Sequence, residues 1–147
     1  MQDAVIFDVD GTLADVSGIR HYVTDDPKHR NFTKFHAAAS LVPPHQQVAD
    51  LARSLRSAGF AILVVTSRKE QWRWHTTVWL RKWGIEHDHL VMRPDADERP
   101  DVDVKRDILG RLREHYRIAL AVDDNPAVVA LWRAEDIPVV RVPGWPE

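Results

Sequence analysis

A short acidic motif at the end of the first apolar run constrains this chain more than any other feature. The sequence D-V-D-G-T at 8 to 12 directly follows the apolar residues 4 to 7. Such a run predicts a buried strand, and Gly11 allows a sharp turn after it. Asp8 and Asp10 can then face one point, where one carboxylate can attack phosphorus while the other moves protons. A capped turn or a calcium loop would also explain these five residues, so the motif alone leaves all three interpretations open.

Length and composition limit the classes of protein that this chain can belong to. We expect a single domain over residues 1–147, without space for a second catalytic domain. The chain has no cysteine, so a metal would bind through oxygen or histidine, in agreement with a reducing cytoplasm. It also has no apolar stretch of the length that spans a bilayer and no basic, apolar leader, so we expect a soluble cytoplasmic protein without a membrane partner.

The charge balance excludes one class of nucleic-acid-binding protein. The chain has 20 Lys and Arg residues against 22 Asp and Glu residues. A protein that coats nucleic acid by bulk electrostatics needs many cationic contacts to phosphates, and this balance argues against that class. Recognition of a single end or a single phosphate is still allowed.

Apolar runs alternate with amphipathic segments along the chain, and this alternation predicts an α/β fold with a parallel sheet covered on both faces. Gly59 is expected to end the first long helix, which Pro43 and Pro44 open. The pattern predicts strands over residues 4–7, 60–65, 90–92, 118–122 and 138–142, the last at an edge. It predicts a further helix over 70–83. Another helix contains Val104, Ile108, Leu112 and Tyr116, with Asp101 or Asp103 as its cap, and a last helix contains Val128, Leu131 and Trp132.

Several conspicuous side chains receive a structural interpretation. Trp72, Trp79 and Trp83 share one face of the predicted helix over 70–83, a spacing that favours core contacts over a base-stacking surface. Residues 93–103 are interpreted as a solvated charged loop. None of the histidine pairs in or beside the polar stretch after the first strand has a spacing that suits a metal, so surface or local hydrogen-bonding roles are expected for His21, His29, His36 and His45.

Polar side chains converge on one edge of the predicted sheet. Asp8 with Asp10, Thr66, and Asp123 with Asp124 all follow the carboxyl ends of strands. Lys105 opens a helix that can point to the same edge, although it could also form an ordinary helix pair with Asp101. In open α/β sheets this edge binds ligands, so we expect the functional site there.

These four elements, in this order, resemble the motifs of the haloacid dehalogenase (HAD) superfamily of phosphotransferases. The motifs are D-V-D-G-T at 8 to 12, Thr66, Lys105, and Asp123-Asp124, and the resemblance covers about residues 3–142. It implies a Rossmann-like parallel sheet with helices on both faces and with a minimal cap or none, in which residues 13–43 form a flap or minimal cap segment.

Further stretches resemble the 3′-phosphatase domain of phage-type polynucleotide kinase-phosphatases. They are V-I-F-D-V-D-G-T-L-A at 5 to 14, L-V-V-T-S-R ending at Arg68, R-K-W at 81 to 83, D-V-D-V-K at 101 to 105 and A-V-D-D at 121 to 124. The chain has no G-x-x-x-x-G-K-[ST] phosphate loop, so the kinase half is absent from it. A kinase or a ligase would then be a separate partner.

The resemblance also implies catalytic roles. Asp8 would attack phosphorus, and Asp10 would protonate the leaving alkoxide and later deprotonate water. Thr66 would hydrogen-bond the phosphoryl oxygens, and Lys105 would neutralise their charge and keep Asp8 ionised. The cofactor would be Mg²⁺, bound by Asp8, the carbonyl of Asp10 and Asp124, with Asp123 as a co-ligand or behind the ligands.

Substrate contacts follow from the same resemblance. Arg68 matches an arginine that contacts the substrate phosphate in those enzymes. Arg20 matches a second such arginine only with a shift of about one residue. Ser67, Gly11 and Thr12 complete the predicted substrate-binding set, although Thr66 and Ser67 could also cap the next helix and Arg68 could be a solvated residue of its first turn.

The distances between the motifs bear on the substrate. About thirty residues separate Thr12 from Pro43, and residues 68–105 contain one helix, one strand and a loop, so the site should be open. An open site admits a nucleic-acid 3′-phosphate end, and free nucleotides or other small phosphoesters are the alternative. A phospho-aspartate signalling receiver also uses acidic pairs, a threonine and a lysine, but the order of the motifs disfavours it. The oligomeric state, and RNA against DNA, stay open.

Overall fold

The fold is one five-stranded parallel sheet with helices on both faces. The computed structural model describes residues 1–24 and 31–143. Its strands are β1 (Gln2–Phe7), β2 (Ala61–Lys69), β3 (His89–Arg93), β4 (Tyr116–Asp123) and β5 (Val139–Arg141). Its helices are α1 (His21–Thr24), α2 (Phe32–Ala39), α3 (Gln46–Ser57), α4 (Arg73–Lys82), α5 (Asp101–Leu112) and α6 (Pro126–Ala134), with a 3-10 turn over Glu70–Trp72 before α4. The predicted α/β class is confirmed.

The strand order is β3-β2-β1-β4-β5, with β1 at the centre. The chain builds one half of the sheet on β2 and β3 and the other half on β4 and β5, and β1 pairs with both halves. The carboxyl ends of β1, β2 and β4 therefore surround the point where the strand order reverses. Open α/β sheets bind their ligands at this point.

Each face of the sheet has its own hydrophobic core because the side chains of a strand alternate between the two faces. Val5 and Phe7 pack under α2, α3 and α4, whereas Ala4 and Ile6 pack under α5 and α6. The central strand is thus buried on both sides, as its continuous apolar run predicts. A strand fixed in this way gives the residue that follows it a defined direction.

The predicted end of β2 is wrong by four residues. The strand continues to Lys69, so Thr66, Ser67 and Arg68 lie within its last part and do not cap the next helix. The register of its pairing with β3 shifts between Val65 and Lys69. The apolar pattern stops at Val65, and for this reason the sequence could not indicate the last four residues.

Two helix boundaries also differ from the prediction. The helix predicted to include Tyr116 ends at Leu112, and Tyr116 begins β4 instead. Asp101 and Asp103 lie in the first turn of α5 after Pro100, so neither caps it. At this position their negative charges still favour the helix, whose first turn carries partial positive charge. The helix after the two prolines begins at Gln46.

Residues 13–43 include α1 and α2, and Phe35 and Ala39 of α2 are buried. Phe35 belongs to the same hydrophobic core as Val5 and Phe7, so α2 packs against that face of the sheet. The prediction for His29 lies outside the described residues, as do residues 144–147 of the predicted domain. In the described parts of the chain, no helix has the length and apolar character needed to cross a bilayer.

Candidate active site

The loop after β1 is tightly folded by its own backbone. The amide of Asp8 still donates to the carbonyl of Val122 in β4 at 3.1 Å. The amides of Thr12 and Ala14 both donate to the carbonyl of Val9, at 3.1 and 2.8 Å. Gly11 has a φ of 85°, a conformation that side chains with a Cβ rarely adopt. The acidic motif is therefore a tight turn that its own backbone hydrogen bonds hold in place.

Asp8 lies at the bottom of the site and is only 7% exposed. Its Oδ1 accepts a hydrogen bond from Lys105 Nζ at 2.9 Å, and its Oδ2 lies 3.1 Å from the hydroxyl of Thr12. The same hydroxyl lies 3.1 Å from Asp124 Oδ1. A threonine has one hydroxyl hydrogen, so it can donate to only one of these carboxylates at a time.

Lys105 connects the two acidic groups of the site. It is 3% exposed, and its Nζ also donates to Asp123 Oδ2 at 3.0 Å. Burial alone would lower the pKa of Lys105, but the two carboxylates outweigh burial and raise it, so the ammonium stays charged. Asp101 pairs instead with Arg93 at 2.7 Å, which rules out the ordinary helix pair with Lys105 in this structure.

Asp123 and Asp124 have different surroundings although they are neighbours. Asp123 Oδ2 accepts from Lys105 and from Trp132 Nε1 at 3.3 Å, and its Oδ1 accepts from the amides of Asp124 and Asn125 at 2.9 and 3.1 Å. Both carboxylate oxygens of Asp123 thus accept hydrogen bonds from the protein itself. Asp124 Oδ2 is buried and has no hydrogen-bond partner in the described parts of the chain.

The centre of the site contains more negative than positive charge. Asp8, Asp123 and Asp124 each offer a carboxylate oxygen within 4.8 Å of the others, and Lys105 is the ammonium that contacts two of them. Burial and the charge of Asp123 raise the pKa of Asp8 well above its usual value, despite Lys105. Burial also raises the pKa of Asp124. A divalent cation with a preference for oxygen would restore the balance, so this donor set fits such an ion.

Asp10 faces the site from the other side of the loop and is paired with Arg68. The guanidinium binds both carboxylate oxygens, Nε to Oδ2 at 2.9 Å and Nη2 to Oδ1 at 2.5 Å. Its Nη1 donates to the hydroxyl of Thr76 at 3.1 Å. Burial alone would raise the pKa of Asp10, but the charge and hydrogen bonds of Arg68 outweigh burial and lower it. Asp10 is therefore ionised in this arrangement.

Thr66 and Ser67 at the end of β2 provide hydroxyl groups. Thr66 Oγ1 accepts from the amide of Arg68 at 3.1 Å, which leaves its own hydrogen available. Ser67 Oγ is buried, with no partner in the described chain. Both residues line the site, so each can donate to an anion there.

These side chains line a cavity of about 710 Å³ at the carboxyl edge of the sheet. Asp8, Asp10, Asp124 and Lys105 are part of its wall. The other predicted residues in the wall are Thr66, Ser67 and Arg68. The wall also contains residues of α1, α2, the 3-10 turn, the loop before α5 and the start of α6. The structure thus brings together the side chains that the sequence predicted at this edge.

Four predicted site residues are not in the cavity wall. Gly11 and Thr12 shape the loop behind Asp8, and Asp123 is fully buried behind Lys105. Arg20 lies near Asp15, outside the wall. The motif match at Arg20 is offset by about one residue, and in this structure Arg20 does not line the cavity with Arg68 and the carboxylates.

Two residues that support the site were missed by the sequence analysis. The sequence analysis placed Trp132 only in a predicted helix, yet its indole nitrogen donates to Asp123. Arg93 is 7% exposed, and it donates to the carbonyl of Ser67 at 3.0 Å and to Asp101 Oδ1 at 2.7 Å. The prediction of a merely solvated loop over 93–103 is therefore wrong at Arg93. Its position at the end of a strand, on the same edge as the motifs, was the available signal.

The histidines divide into two groups. His45 forms local hydrogen bonds as predicted, with its Nδ1 2.8 Å from the carbonyl oxygen of Thr12, and His21 is exposed. His36 instead lines the cavity, where burial lowers its pKa although the charge of Asp10 opposes the shift. The position of His36 in the cavity wall was not predicted from the sequence.

Comparisons with known proteins agree with this geometry. A family model described as the polynucleotide kinase PNKP phosphatase domain matches residues 2–144. Structures of the Pnkp1/Rnl/Hen1 complex and of the Pnkp1/Rnl/Hen1 RNA repair complex each match 97% of the chain with 28% identity and a TM-score of 0.81. The chain spans 46% and 42% of the matched chains, less than half of their length. A haloacid dehalogenase-like hydrolase of Streptococcus pneumoniae shares the fold, at 16% identity, a TM-score of 0.64, and coverage of 95% of this chain and 84% of that one.

Proposed function

This chain belongs to the family of polynucleotide kinase PNKP phosphatase domains and has the haloacid dehalogenase fold, and we propose that it removes the 3′-phosphate from nucleic-acid ends through an aspartyl-phosphate. One observation carries the proposal. A buried carboxylate, Asp8, lies at the bottom of an open cavity beside an ammonium, Lys105, and a carboxylate with an unpartnered oxygen, Asp124. Lys105 favours the ionised form that a nucleophile requires, and a cation at the unpartnered oxygen would offset the burial and the negative charge that raise the pKa of Asp8.

Asp8 acts as the nucleophile. An oxygen of its carboxylate forms a bond to phosphorus while the bond from phosphorus to the sugar O3′ breaks. Lys105 favours the ionised form of Asp8 that this step requires. In the second step water attacks the aspartyl-phosphate, the bond from Asp8 to phosphorus breaks, and inorganic phosphate leaves. Splitting the hydrolysis in this way replaces one difficult step by two easier ones.

Asp10 is the general acid and then the general base. It gives a proton to the leaving O3′ in the first step and takes one from water in the second, so that it ends as it began. The bidentate pair with Arg68 opposes the first role, because it stabilises the ionised form of Asp10. We infer that the substrate phosphate competes for the Arg68 guanidinium. Once Arg68 donates to phosphate, burial raises the pKa of Asp10 and the carboxyl can hold its proton.

Two hydroxyl groups stabilise the phosphoryl oxygens. Thr66 accepts from the amide of Arg68 and has a hydrogen left to donate, and Ser67 Oγ has no other partner in the described chain. Donors that are already oriented cost little reorganisation when charge moves onto the oxygens. The buried Arg93 holds the carbonyl of Ser67 and therefore fixes this strand end.

The expected cofactor is Mg²⁺, held by Asp8, Asp124 and the carbonyl of Asp10. The unpartnered Oδ2 of Asp124 and the excess of three carboxylates over one ammonium support this donor set. Asp123 is expected to lie behind the ligands because Lys105, Trp132 and two amides already occupy it. When bound, the ion would neutralise charge on the phosphoryl group and between the carboxylates.

The nature of the substrate is supported by the family. Pnkp1, which shares 28% identity with this chain, is part of a complex described as an RNA repair complex. An RNA 3′ end is therefore our preferred substrate, and a free nucleotide or another small phosphoester is the alternative. Pnkp1 is part of a complex with Rnl and Hen1, so we propose that a kinase or a ligase is a partner of this chain.

Phosphate release tests the proposal. The substrates are a 3′-phosphorylated oligonucleotide, the same oligonucleotide with a 5′-phosphate, and a nucleoside 3′-monophosphate, each with Mg²⁺ and with EDTA. We expect Mg²⁺-dependent release that is fastest from the 3′-phosphorylated oligonucleotide and absent in Asp8→Asn. Equal or faster release from the mononucleotide would overturn the substrate, and release by Asp8→Asn would overturn the nucleophile.

A further inference from the structure

A row of aromatic rings leads from the cavity to the outer surface of the protein. Phe35 and His36 have ring centroids 5.4 Å apart, His36 and Trp72 5.3 Å, Trp72 and His75 5.1 Å, and His75 and Trp74 5.2 Å. We call these five residues the aromatic row. Its inner end is the buried Phe35, and its outer end is Trp74, which is 71% exposed.

The middle of the aromatic row belongs to the cavity wall and not to the core. Trp72 and His36 line the cavity, and so does Phe32, which is 57% exposed. Trp79 lies in the core, and Trp83 packs against it, as the sequence predicted. The prediction of a core position is wrong for Trp72. The segment over 70–83 begins with a 3-10 turn, so the side chain of Trp72 does not lie on the face that α-helical spacing assigns to it.

The aromatic row is connected directly to the proposed reaction centre. The carbonyl of Trp72 accepts from the hydroxyl of Thr76 at 2.9 Å, and that hydroxyl accepts from Arg68 Nη1 at 3.1 Å. Arg68 in turn holds Asp10. A phosphate bound at the end of β2 would therefore lie next to the aromatic row, and the group that carries the phosphate would extend along it.

The charges around the cavity disfavour binding through the phosphate backbone. Each basic residue in the described part of the cavity wall already has an acidic partner. The pairs are Arg68 with Asp10, Lys69 with Glu98, Arg93 with Asp101, Arg99 with Asp97, and Lys105 with Asp8. The chain as a whole carries a net charge of −2. Affinity for a polynucleotide must therefore come mainly from contacts to the bases.

We propose that the aromatic row and Phe32 bind the last bases of a single-stranded nucleic-acid 3′ end by stacking. The terminal base lies against Trp72 and Phe32, and the preceding base lies toward Trp74. Bases can stack on side chains only when they are unpaired, and every base has a face that can do so. The substrate is therefore a single-stranded end of at least two nucleotides, with little sequence preference. This inference rests on the proposed function, since it places the 3′-phosphate in the cavity.

Equilibrium binding of an unphosphorylated strand tests this proposal separately from catalysis. The probe is a fluorescently labelled single-stranded oligonucleotide with a 3′-hydroxyl, compared with the same strand whose last two nucleotides are abasic. We expect the abasic strand to bind more weakly, by about 5- to 150-fold for each stacked base lost. We also expect a shallow dependence on salt, because few counterions are released. Equal affinity of the two strands, or a steep salt dependence, would overturn the proposal.

Variants identify the residue that carries the effect. Trp72→Met keeps an apolar side chain but removes the aromatic face, and we expect it to weaken binding by about 5- to 150-fold. Trp72→Phe should restore most of the affinity. Val78→Ala is the control, because Val78 is an exposed residue of α4, the helix that follows Trp72, and lies outside the aromatic row. A Trp72→Met variant that binds as tightly as Val78→Ala would contradict the proposal, whereas failed phosphate release with intact binding would affect only the proposed function.

Discussion

Asp124→Asn should make the metal-free protein more stable and abolish its stabilisation by Mg²⁺. The substitution removes one of three carboxylates that approach one another within 4.8 Å. It keeps an oxygen that can accept from Thr12, which now lies 3.1 Å from Asp124 Oδ1. The new amide group replaces the buried and unpartnered Oδ2, and it can donate to Asp8. The substitution therefore changes charge and metal binding with little change in shape.

The size of the effect follows from the charges. At an effective dielectric constant of about 20, two unit charges 4.8 Å apart repel each other by about 3.5 kcal/mol. Asp124 faces two carboxylates and the Lys105 ammonium, so about one such repulsion is not compensated. Proton uptake relieves part of it, because burial raises the pKa of Asp124. We expect Asp124→Asn to raise the free energy of unfolding in EDTA by about 1–3 kcal/mol, or Tm by about 2–12 °C.

Mg²⁺ should reverse this order. At 100 times Kd the ion adds about 2.7 kcal/mol to the stability of the wild-type protein, which corresponds to about 5–11 °C in Tm. The variant should show no such shift, because a neutral amide replaces the Asp124 carboxylate and its ligand oxygen Oδ2. Thermal melts in EDTA and in Mg²⁺ measure both effects, and Asp50→Asn, at an exposed surface pair with Arg53, is the matched control. An Asp124→Asn variant that is less stable than wild type in EDTA, or that gains equally from Mg²⁺, would refute the charge argument.

Three further substitutions test the supporting contacts. Lys105→Met should abolish phosphate release and destabilise the metal-free protein by about 3–5 kcal/mol, because two buried carboxylates lose their cation. Denaturant melts measure this loss, and a variant as stable as the wild type would contradict it. Trp132→Phe should cost about 1 kcal/mol of stability and lower kcat, whereas an unchanged kcat would show that its hydrogen bond to Asp123 is dispensable. Arg68→Met should be about 3–5 kcal/mol less stable than wild type at pH 7. The pKa of Asp10 is lowered in the fold, so the wild type gains stability from this ionised group above pH of about 4 and loses it as the pH falls through the lowered pKa. The Tm difference of Arg68→Met should therefore shrink on acidification, and a constant difference would contradict the pairing.

The sequence was most informative where physical patterns repeat. Continuous apolar runs predicted the central strands, and the carboxylates that follow Phe7 and Val122 do meet at one edge of the sheet. The rule that ligands bind at this edge was sufficient to place the side chains of Asp8, Thr66 and Lys105 in one cavity. These features depend on periodicity and on chain direction, which a sequence displays directly.

Features that depend on pairing between distant residues were not predictable in the same way. The pair of Arg68 with Asp10 joins residues 58 positions apart, and Arg68 alone gave no sign of its partner. Arg93 looked like one charge in a charged loop, although its hydrogen bonds bury it. Burial of an ion requires partners from several elements, and a sequence read along one chain shows the residue types without those partners.

Helix periodicity also misled at one residue. The spacing of Trp72, Trp79 and Trp83 indicates a single helix face, and two of the three do contact the core. The 3-10 turn over Glu70–Trp72 breaks the 3.6-residue period at the start of that helix. A 3-10 turn has three residues per turn, so Trp72 leaves the face that α-helical counting assigns to it. Local deviations of this kind set the composition of the cavity wall.

Transfer of labelled phosphate to the protein would test the central claim most directly. An oligonucleotide with a ³²P-labelled 3′-phosphate is mixed with the enzyme and Mg²⁺, quenched in acid within milliseconds, and the protein is digested and its peptides separated. The account predicts label on the peptide that contains Asp8 in the wild type and no labelled peptide in Asp8→Asn. Release of phosphate without labelled protein at any quench time, or label on a different peptide, would contradict it.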